Sequence, residues 1–545
     1  MTEHNVKSAR NPRLLLLWGP PAVGKSSVGQ ALASTLGAEF IDLDDRIAER
    51  SGLPRTQLFA RGEPFFREQE GLLLRGLLHE DHGDRYRVVA LGGGTLVDED
   101  LRFSALTRAT VIALTAPRGE LVQRAEAGGR PLLAGDVKGK LARLLELRRE
   151  AYSAGHLVFA SDAAPEIVAA SIEQTLRLGL LPLTVDRQTS YSVELCNRAV
   201  LRQRLKSLCD WLAPSSLTVI SDDVVAPLHL NPLLEELRAD FTGPVRSLVR
   251  PAGETHKTFA SLEQLLTELH EARIDRRALL LGLGGGVTTD MSGLAAALLS
   301  RGIAWVALPT SLMGMVDAAT GGKTAVNLGA AKNGVGIFHH PRSVLVCTEF
   351  TETEEDRAVK SGLAEVVKSA CIADAALFAW LETHAAELRA REPAALQYAT
   401  RAALRVKAEL VEKDPAESGP RRLLNFGHTF GHALEAATRY ERWLHGEAVA
   451  LGMAVALGVG AELGTTSRAV KTRVRQLLTA LGLHCGEPLA LPLIDAAIAE
   501  LGRDKKSLGN AVQLIVLRDI GTAEQRVVPL EELATLVKKA ALELC

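Results

Sequence analysis

This chain carries no excess of either charge: 63 Lys and Arg stand against 65 Asp and Glu, a formal net charge of −2. That balance offers no field to attract nucleic acid or an anionic membrane as the main partner. No apolar run reaches the about 18 residues that suggest a membrane span. The leading MTEHNVKSARNPR has no apolar stretch long enough for a secretory signal, and LLLLW is short and runs into a glycine loop. Cysteine is sparse. Cys196, Cys209, Cys347, Cys371, Cys485 and Cys545 are scattered without a CxxC pair. This argues against a disulfide framework or a cysteine zinc site, and for reduced thiols in a cytoplasmic protein. Internal repeats and low-complexity tracts are absent as well.

What is present is an ordinary globular composition, 47% hydrophobic and 23% charged over 545 residues. At about 100–200 residues per domain, three domains are expected. Residues 1–180 alternate short apolar runs (RLLLLW, EFIDLD, YRVVALGGG, ATVIALTA) with helical stretches, the mark of a doubly wound α/β domain. From Ala154 to about Pro182 a strand, the helix-like APEIVAASIEQTLRLG and a turn-like GLLPL close it. A second, Rossmann-like α/β pattern occupies 181–350, with SLTVISDD, PVRSLVRP, RALLLGLGGG and IAWVALPT as strands. Residues 351–545 are rich in Ala, Leu and Glu and read as all-helical, with AVQLIVLRD as a strand candidate.

The first chemical signal is Gly19-Pro20-Pro21-Ala22-Val23-Gly24-Lys25-Ser26, a GxxxxGK[ST] loop between a strand and a helix. Its glycines let backbone N–H groups surround phosphate oxygens. The helix N-terminus and Lys25 neutralise phosphate charge, and Ser26 can hold Mg²⁺. Gly19, Gly24, Lys25, Ser26 and Ser27 are therefore expected at ATP. Asp42 and Asp44 lie two apart at a strand end and share a face, so one suits Mg²⁺ and the other a substrate hydroxyl. FFREQE, LGGGT, GGRPLL and LRREAY add Arg67, Glu70, a glycine triplet, Arg130 and Arg148.

In this order these motifs make residues 13–175 resemble the shikimate kinase family over essentially its whole length. The resemblance implies Asp42 with Ser26 at Mg²⁺, Asp44 on the shikimate hydroxyls, and Arg67 and Arg148 on the shikimate carboxylate. It places Gly93 and Gly94 against the ring and Arg130 in a lid over the transferring phosphate. Fork-shaped cations suit a carboxylate substrate, and phosphoryl transfer needs a water-excluding lid more than covalent help. Pro20-Pro21 is stiffer than the small residues common in this loop.

The second half carries RRALLLGLGGGVTTD, a strand running into glycines without a strict GxGxxG. NFGHTFGHA puts His428 and His432 on one helix face, which by spacing alone suggests a zinc pair, and LHGEA adds His445.

PAGETHKT, LGGGVTTD, RGIAWVALPTSLMGMVD, GGKTAVN, KNGVG, GLAEVVK, RRLLNFGHTFGHA, LHGEAVALGM and RDKK then follow in family order, so residues 184–545 resemble 3-dehydroquinate synthase and the wider sugar-phosphate cyclases. The resemblance shifts the metal ligands to Glu365, His428 and His445, a donor set suited to Zn²⁺ (or Co²⁺), and leaves His432 for proton transfer or hydrogen bonding. It implies NAD contacts at Asp222, Glu254, Lys257, Gly284, Gly285, Gly286, Asp290, Lys323 and Lys332. Substrate contacts fall on Lys323, Asn333, Lys368, Lys407, Arg421, Asn425 and Lys505, with Arg301 contributed across a homodimer interface. Lys25, Asp44 and Arg130 in the kinase, and His432, Lys323 and Lys368 in the synthase, are the residues expected to carry the chemistry.

The reaction so implied oxidises a seven-carbon phosphorylated keto acid, 3-deoxy-D-arabino-heptulosonate 7-phosphate, at C5. It eliminates phosphate, returns the hydride and closes the ring by an aldol step to 3-dehydroquinate. Thr289 departs from a family that often has Gly there, which is expected to cost backbone freedom near the cofactor. The alternatives are a cyclase for another sugar phosphate, or an N-terminal domain kept as a non-catalytic binding module. The two activities are not consecutive, so their fusion implies a fixed ratio of enzymes rather than direct handover of product.

Overall fold

Every side chain of LLLLW is apolar, and such a run suits a strand covered on both faces. In the computed structural model these residues form β1 (Leu14–Trp18), fully buried. The structure describes residues 10–545 apart from 54–56, 58–60, 81–82, 84, 128–134, 153, 330, 484–488, 502–506, 509–510 and 545. The chain divides into two compact units, Met1–Ser215 with Glu236–Gly243, and Ser216–Glu235 with Pro244–Cys545.

In the first unit, β1 is the centre of a parallel sheet with β2 (Glu39–Asp42), β3 (Arg87–Ala90), β4 (Thr110–Thr115) and β5 (Leu157–Ala160), in the order β2-β3-β1-β4-β5. Leu16 pairs with Val89 on one side and Val111 on the other. Successive side chains of a strand take opposite faces. Leu15 and Leu17 thus pack with Val28 and Leu32 of the helix Lys25–Leu36 and Ile172 of the helix Pro165–Leu178. Leu14, Leu16 and Trp18 pack with Leu74, Leu101 and Ala105 on the other face. The expected strand–loop–helix setting of the glycine loop is present.

GLLPL, expected as a turn, is instead strand β6 (Leu180–Thr184), antiparallel to β7 (Ser190–Cys196). Pro182 cannot donate a ladder hydrogen bond, and β6 has a neighbour on one side only, where a proline is tolerated. The helix Arg198–Leu212 follows in the same unit.

In the second unit, β8 (Leu217–Asp222), β9 (Val245–Arg250), β10 (Leu279–Gly284) and β11 (Ala304–Pro309) fall on the expected runs. β12 (Lys323–Leu328) and β13 (Ala331–Phe338) form an antiparallel hairpin. With β14 (Ser343–Cys347), the parallel strands lie in the order β14-β11-β10-β8-β9. Helices dominate from Asp356 onward, and AVQLIVLRD is strand β16 (Ala511–Asp519) between β15 (Ser507–Leu508) and β17 (Thr522–Pro529).

The helix His445–Glu462 is buried on nearly every side and forms the axis of this region. A Cβ on Gly452 would overlap the Gly427 carbonyl, and Gly427 has φ +81°. Glycine at both positions lets the helices His428–Ala437 and His445–Glu462 approach closely enough to bring their first residues together.

Candidate active sites

In the first unit, β1 delivers the chain into the phosphate loop, where Gly24 takes φ +94°. The Lys25 ammonium folds back over the loop and donates to the carbonyls of Gly19 (2.9 Å) and Pro20 (3.0 Å). Ser26 Oγ donates to Asp42 Oδ2 at 2.6 Å. The two groups expected at Mg²⁺ are thus side by side, one from the loop and one from the end of β2. Asp42 also caps the helix Leu43–Ser51 through the backbone N–H groups of Asp44 and Asp45. Ser27 is exposed on the first turn of the loop's helix.

The glycine triplet faces the other candidates. A Cβ on Gly94 would overlap the Arg67 guanidinium, and one on Gly92 would overlap Glu70 and stand 3.0 Å from Asp44 Oδ1. Arg67 pairs with Glu70 (2.5 Å) and Glu63 (2.9 Å). Burial works against its charge, but Glu70 and Glu63 outweigh burial and keep it protonated. Arg148 donates to the Gly93 carbonyl at 2.8 Å, and the Tyr152 hydroxyl donates to the same oxygen at 2.6 Å. A cleft of 640 Å³ opens here, lined by Glu63, Arg67, Gly94, Thr95 and Arg148 among others. Arg130 lies outside the described residues. Glu63, which meets both Arg67 and Arg148, was missed. Its signal was the one-turn spacing to Arg67.

In the second unit, Glu365 sits inside the helix Asp356–Ala373 and is 1% exposed. Its Oε1 is 3.6 Å from His428 Nε2 and 3.8 Å from His445 Nε2. The opposite ring nitrogens are anchored: His428 Nδ1 on the Phe426 carbonyl at 3.2 Å, His445 Nδ1 on Glu435 at 3.2 Å. Anchoring Nδ1 turns each Nε2 lone pair toward the carboxylate, which is how metal-binding histidines are oriented. Glu365 Oε1 accepts no hydrogen bond among the described residues. Two imidazoles and a carboxylate converging in this way fit a divalent metal of the zinc or cobalt type. His432 is close too: one nitrogen from each of His428, His432 and His445 lies within 4.8 Å of the others.

Glu435, 3% exposed, was missed. Burial would raise its carboxyl, but His445 and Lys332 outweigh burial and hold it well below the usual range. Lys332, expected at NAD, ion-pairs with it at 2.8 Å. Glu435→Gln is expected to weaken divalent metal binding by about 10–100-fold. Metal retained during dialysis against graded chelator measures this. Unchanged retention would mean that His445 is oriented without Glu435.

Beside the histidines lies a buried cation cluster. Lys407 donates to the Asp317 carboxylate at 2.6 Å and also to its carbonyl. Lys368 is 3.7 Å from Asp317 and also pairs with Glu365. Burial pushes Lys407 down to about 8, against the pull of Asp317. For Asp317, burial opposes the charge, but Lys407 and Lys368 prevail and hold it well below the carboxylate range. Arg421, 1% exposed, donates to the carbonyls of Pro415 (2.7 Å) and Gly321 (3.0 Å). Lys323 pairs with Glu417, which also accepts from Asn425 at 2.9 Å. Asp317 and Glu417 were missed as site residues. Asp317 closes a motif the sequence displays, whereas nothing near Glu417 marked it.

At the nucleotide end, Gly284 and Gly285 lead into the helix Gly286–Leu298, a phosphate-seeking N-terminus. Asp222, ending β8, accepts from Thr288 at 2.7 Å. Lys257 donates at 2.5 Å to both Asp290 and Asn333, and Glu254 accepts from Asn327 at 2.9 Å. Thr289 lies within the helix, its hydroxyl turned back on the Gly286 carbonyl at 3.1 Å. The expected backbone cost does not arise, because a helical position needs no glycine freedom.

A cleft of 720 Å³ joins the regions, lined by Asp290, Lys323, Lys332, Asn333, Asn425 and His432 among others. Arg301 is exposed, outside that lining, with φ +66°. Lys505 lies outside the described residues.

Three family models match this chain, one after another. Residues 21–177 match the shikimate kinase family, 247–361 the 3-dehydroquinate synthase N-terminal family and 362–507 the 3-dehydroquinate synthase C-terminal family. The 3-dehydroquinate synthase of Nitrosococcus oceani is 41% identical over 346 residues, covering 63% of this chain and 94% of its own length. The solved 2-epi-5-epi-valiolone synthase of Streptomyces hygroscopicus, with NAD⁺ and Zn²⁺ bound, is 30% identical with a TM-score of 0.59, over 66% of this chain and 99% of that one. The shikimate kinase of Acinetobacter baumannii, solved with shikimate, is 30% identical over 31% of this chain and 94% of its own, with a TM-score of 0.29. The glycine loop with its arginine-lined cleft and the carboxylate–histidine centre thus sit in one polypeptide of the 3-dehydroquinate synthase family, fused behind a shikimate kinase domain to make a bifunctional enzyme of the shikimate pathway.

Proposed function

We propose that the first site transfers the γ-phosphoryl group of ATP to shikimate. The Asp42–Ser26 pair holds Mg²⁺, Lys25 and the loop amides bear the phosphate charge, and Asp44 accepts hydrogen bonds from the reacting hydroxyls. Arg67 and Arg148 grip the shikimate carboxylate and so fix its ring over Gly93 and Gly94. Positioning and charge neutralisation are the main demands of phosphoryl transfer.

The second site converts 3-deoxy-D-arabino-heptulosonate 7-phosphate to 3-dehydroquinate. The observation that carries this reading is the convergence of Glu365, His428 and His445 beside the buried Lys368, Lys407 and Arg421. Glu365, His428 and His445 hold a divalent metal, while Asp222, Glu254, Lys257, Gly284, Gly285, Gly286, Asp290 and Lys332 frame NAD. When bound, the two supply a Lewis acid and a reversible hydride acceptor for the substrate C5 carbinol. Lys407 and Arg421 bind the substrate carboxylate. Lys323, Asn333, Asn425 and Lys505 hold phosphate and hydroxyls. His432 and Lys368 border the reacting carbons and move protons. Arg301, exposed on its turn, serves the site of a second copy in a homodimer. Burial of Cys196, Cys209, Cys347 and Cys371 as thiols suits a cytoplasmic protein. No helix among the described residues is long and apolar enough to cross a membrane.

Phosphate release from the heptulosonate phosphate tests the reading. Release that needs NAD⁺, stops with chelator and yields 3-dehydroquinate supports it. No release from metal-replete protein would redirect the site to another sugar phosphate.

Lys407 sets an alkaline limit. It carries its proton below about 8 and loses it above. Asp317, Lys368 and Arg421 surround it and stay charged through that range. Synthase kcat/KM is therefore expected to fall by roughly tenfold per pH unit above that point. A pH profile checks this, with Lys407→Arg moving the limb upward because guanidinium does not titrate there.

A further inference from the structure

Residues 184–212 lie beyond the shikimate kinase match, which ends at 177, yet the structure joins them to the first compact unit. Their contacts there are specific and buried. Arg204, 1% exposed, donates to the Val158 carbonyl of β5 at 2.5 Å and pairs with Glu194 at 2.6 Å, and its guanidinium lies 4.2 Å from the Phe159 ring centre. Thr184 donates to the Leu106 carbonyl (2.9 Å), accepts from Arg10 (2.9 Å) and meets His156 (3.1 Å). Such groups are costly to bury unless paired, so this seam is a built surface and not a linker.

The seam reaches the kinase cleft at one point. Trp211, in the last turn of the helix Arg198–Leu212, donates its indole N–H to the Tyr152 carbonyl at 3.2 Å. Tyr152 and Arg148 both donate to the Gly93 carbonyl, and Arg148 and Gly94 line the cleft. The Trp18 ring stands 5.2 Å from that of Tyr152, and its N–H donates to the Ala151 carbonyl at 3.1 Å. The segment bearing Arg148 and Tyr152 is therefore held twice, once from β1 and once from the appended helix.

We propose that Trp211 is a positioning residue of the kinase, one that sets the shikimate-binding segment through Tyr152. The inference rests on shikimate being the kinase substrate. The residues expected at ATP lie on the phosphate loop and the start of the helix Lys25–Leu36, not on the segment that Trp211 holds.

The test uses the full-length chain with Trp211→Phe, which keeps an aromatic ring and removes the N–H. Losing one hydrogen bond of typical strength is expected to raise KM for shikimate about fivefold. Kinase kcat, KM for ATP and synthase turnover stay within about twofold of wild type, and the melting curve reports an intact fold. In a Tyr152→Phe background the Trp211→Phe change is expected to add little, since groups in one network are not additive. Additive effects, an equal rise in KM for ATP, or a loss confined to the synthase would overturn the proposal. Normal wild-type turnover with an unmoved shikimate KM in Trp211→Phe overturns this inference alone. A wild-type chain that does not phosphorylate shikimate overturns the substrate reading and this inference with it.

Discussion

Replacing Glu365 by Gln in the full-length chain is expected to strip the divalent metal from the synthase and lower its turnover by at least about 1000-fold, while shikimate kinase turnover stays unchanged. The amide keeps the volume of the side chain, so the helix Asp356–Ala373 retains its packing. It removes the anion that both histidine Nε2 atoms face. Lys368 loses a buried partner but keeps Asp317 at 3.7 Å. The stability cost therefore falls below the about 3–5 kcal/mol of a fully broken buried pair. Metal content after dialysis and 3-dehydroquinate formation are the readouts, with Glu365→Asp as the partly active control. Wild-type metal content in the Gln variant would reassign the third ligand to His432, one nitrogen of which lies within 4.8 Å of a nitrogen on each of His428 and His445.

That choice between ligand sets also shows where reading a sequence stops. His428 and His432 share a helix face, so spacing alone pairs them. His445 opens a different helix, and only the family resemblance pointed to it. β1 and β10 read directly because burial on both faces leaves a continuous apolar run, while β2 and β9 were read from their apolar letters although few of their residues are buried. The β12–β13 hairpin did not read as strands. Its apolar residues are broken by polar and glycine positions, and only Thr324 and Val326 are buried, so no hydrophobic run marks it. β6 was lost to its proline. Asp317, Glu417 and Glu435 were missed for a common reason: each acts by facing a cation or imidazole. The Lys407–Asp317 pair, for example, spans 90 residues of chain. Glycine close approaches, as at Gly94 and Gly452, were visible as letters, but their neighbours were not.

The complementary result is expected at the other end of the chain. Lys25→Met should lower shikimate phosphorylation by about 1000-fold and leave 3-dehydroquinate formation at its wild-type rate. Methionine keeps the reach of the side chain but not the charge. The loop amides, set by the backbone at Gly19 and Gly24, survive the change. What disappears is the ammonium group that now spans the Gly19 and Pro20 carbonyls and that ATP would draw onto its phosphates. Arginine is not expected to rescue, because its planar fork is bulkier and less able to follow a phosphate as a point charge. ADP formation dependent on shikimate measures the first activity, and phosphate release from the heptulosonate phosphate measures the second on the same preparation. More than about a tenth of wild-type kinase turnover would mean that Lys25 does not bear the transferring charge. Taken with Glu365→Gln, the pair forms a cross test of independence. Each change silences one site and spares the other if the fusion serves only to fix the ratio of two enzymes. A fall of both activities in either variant would mean that the sites are coupled through the chain.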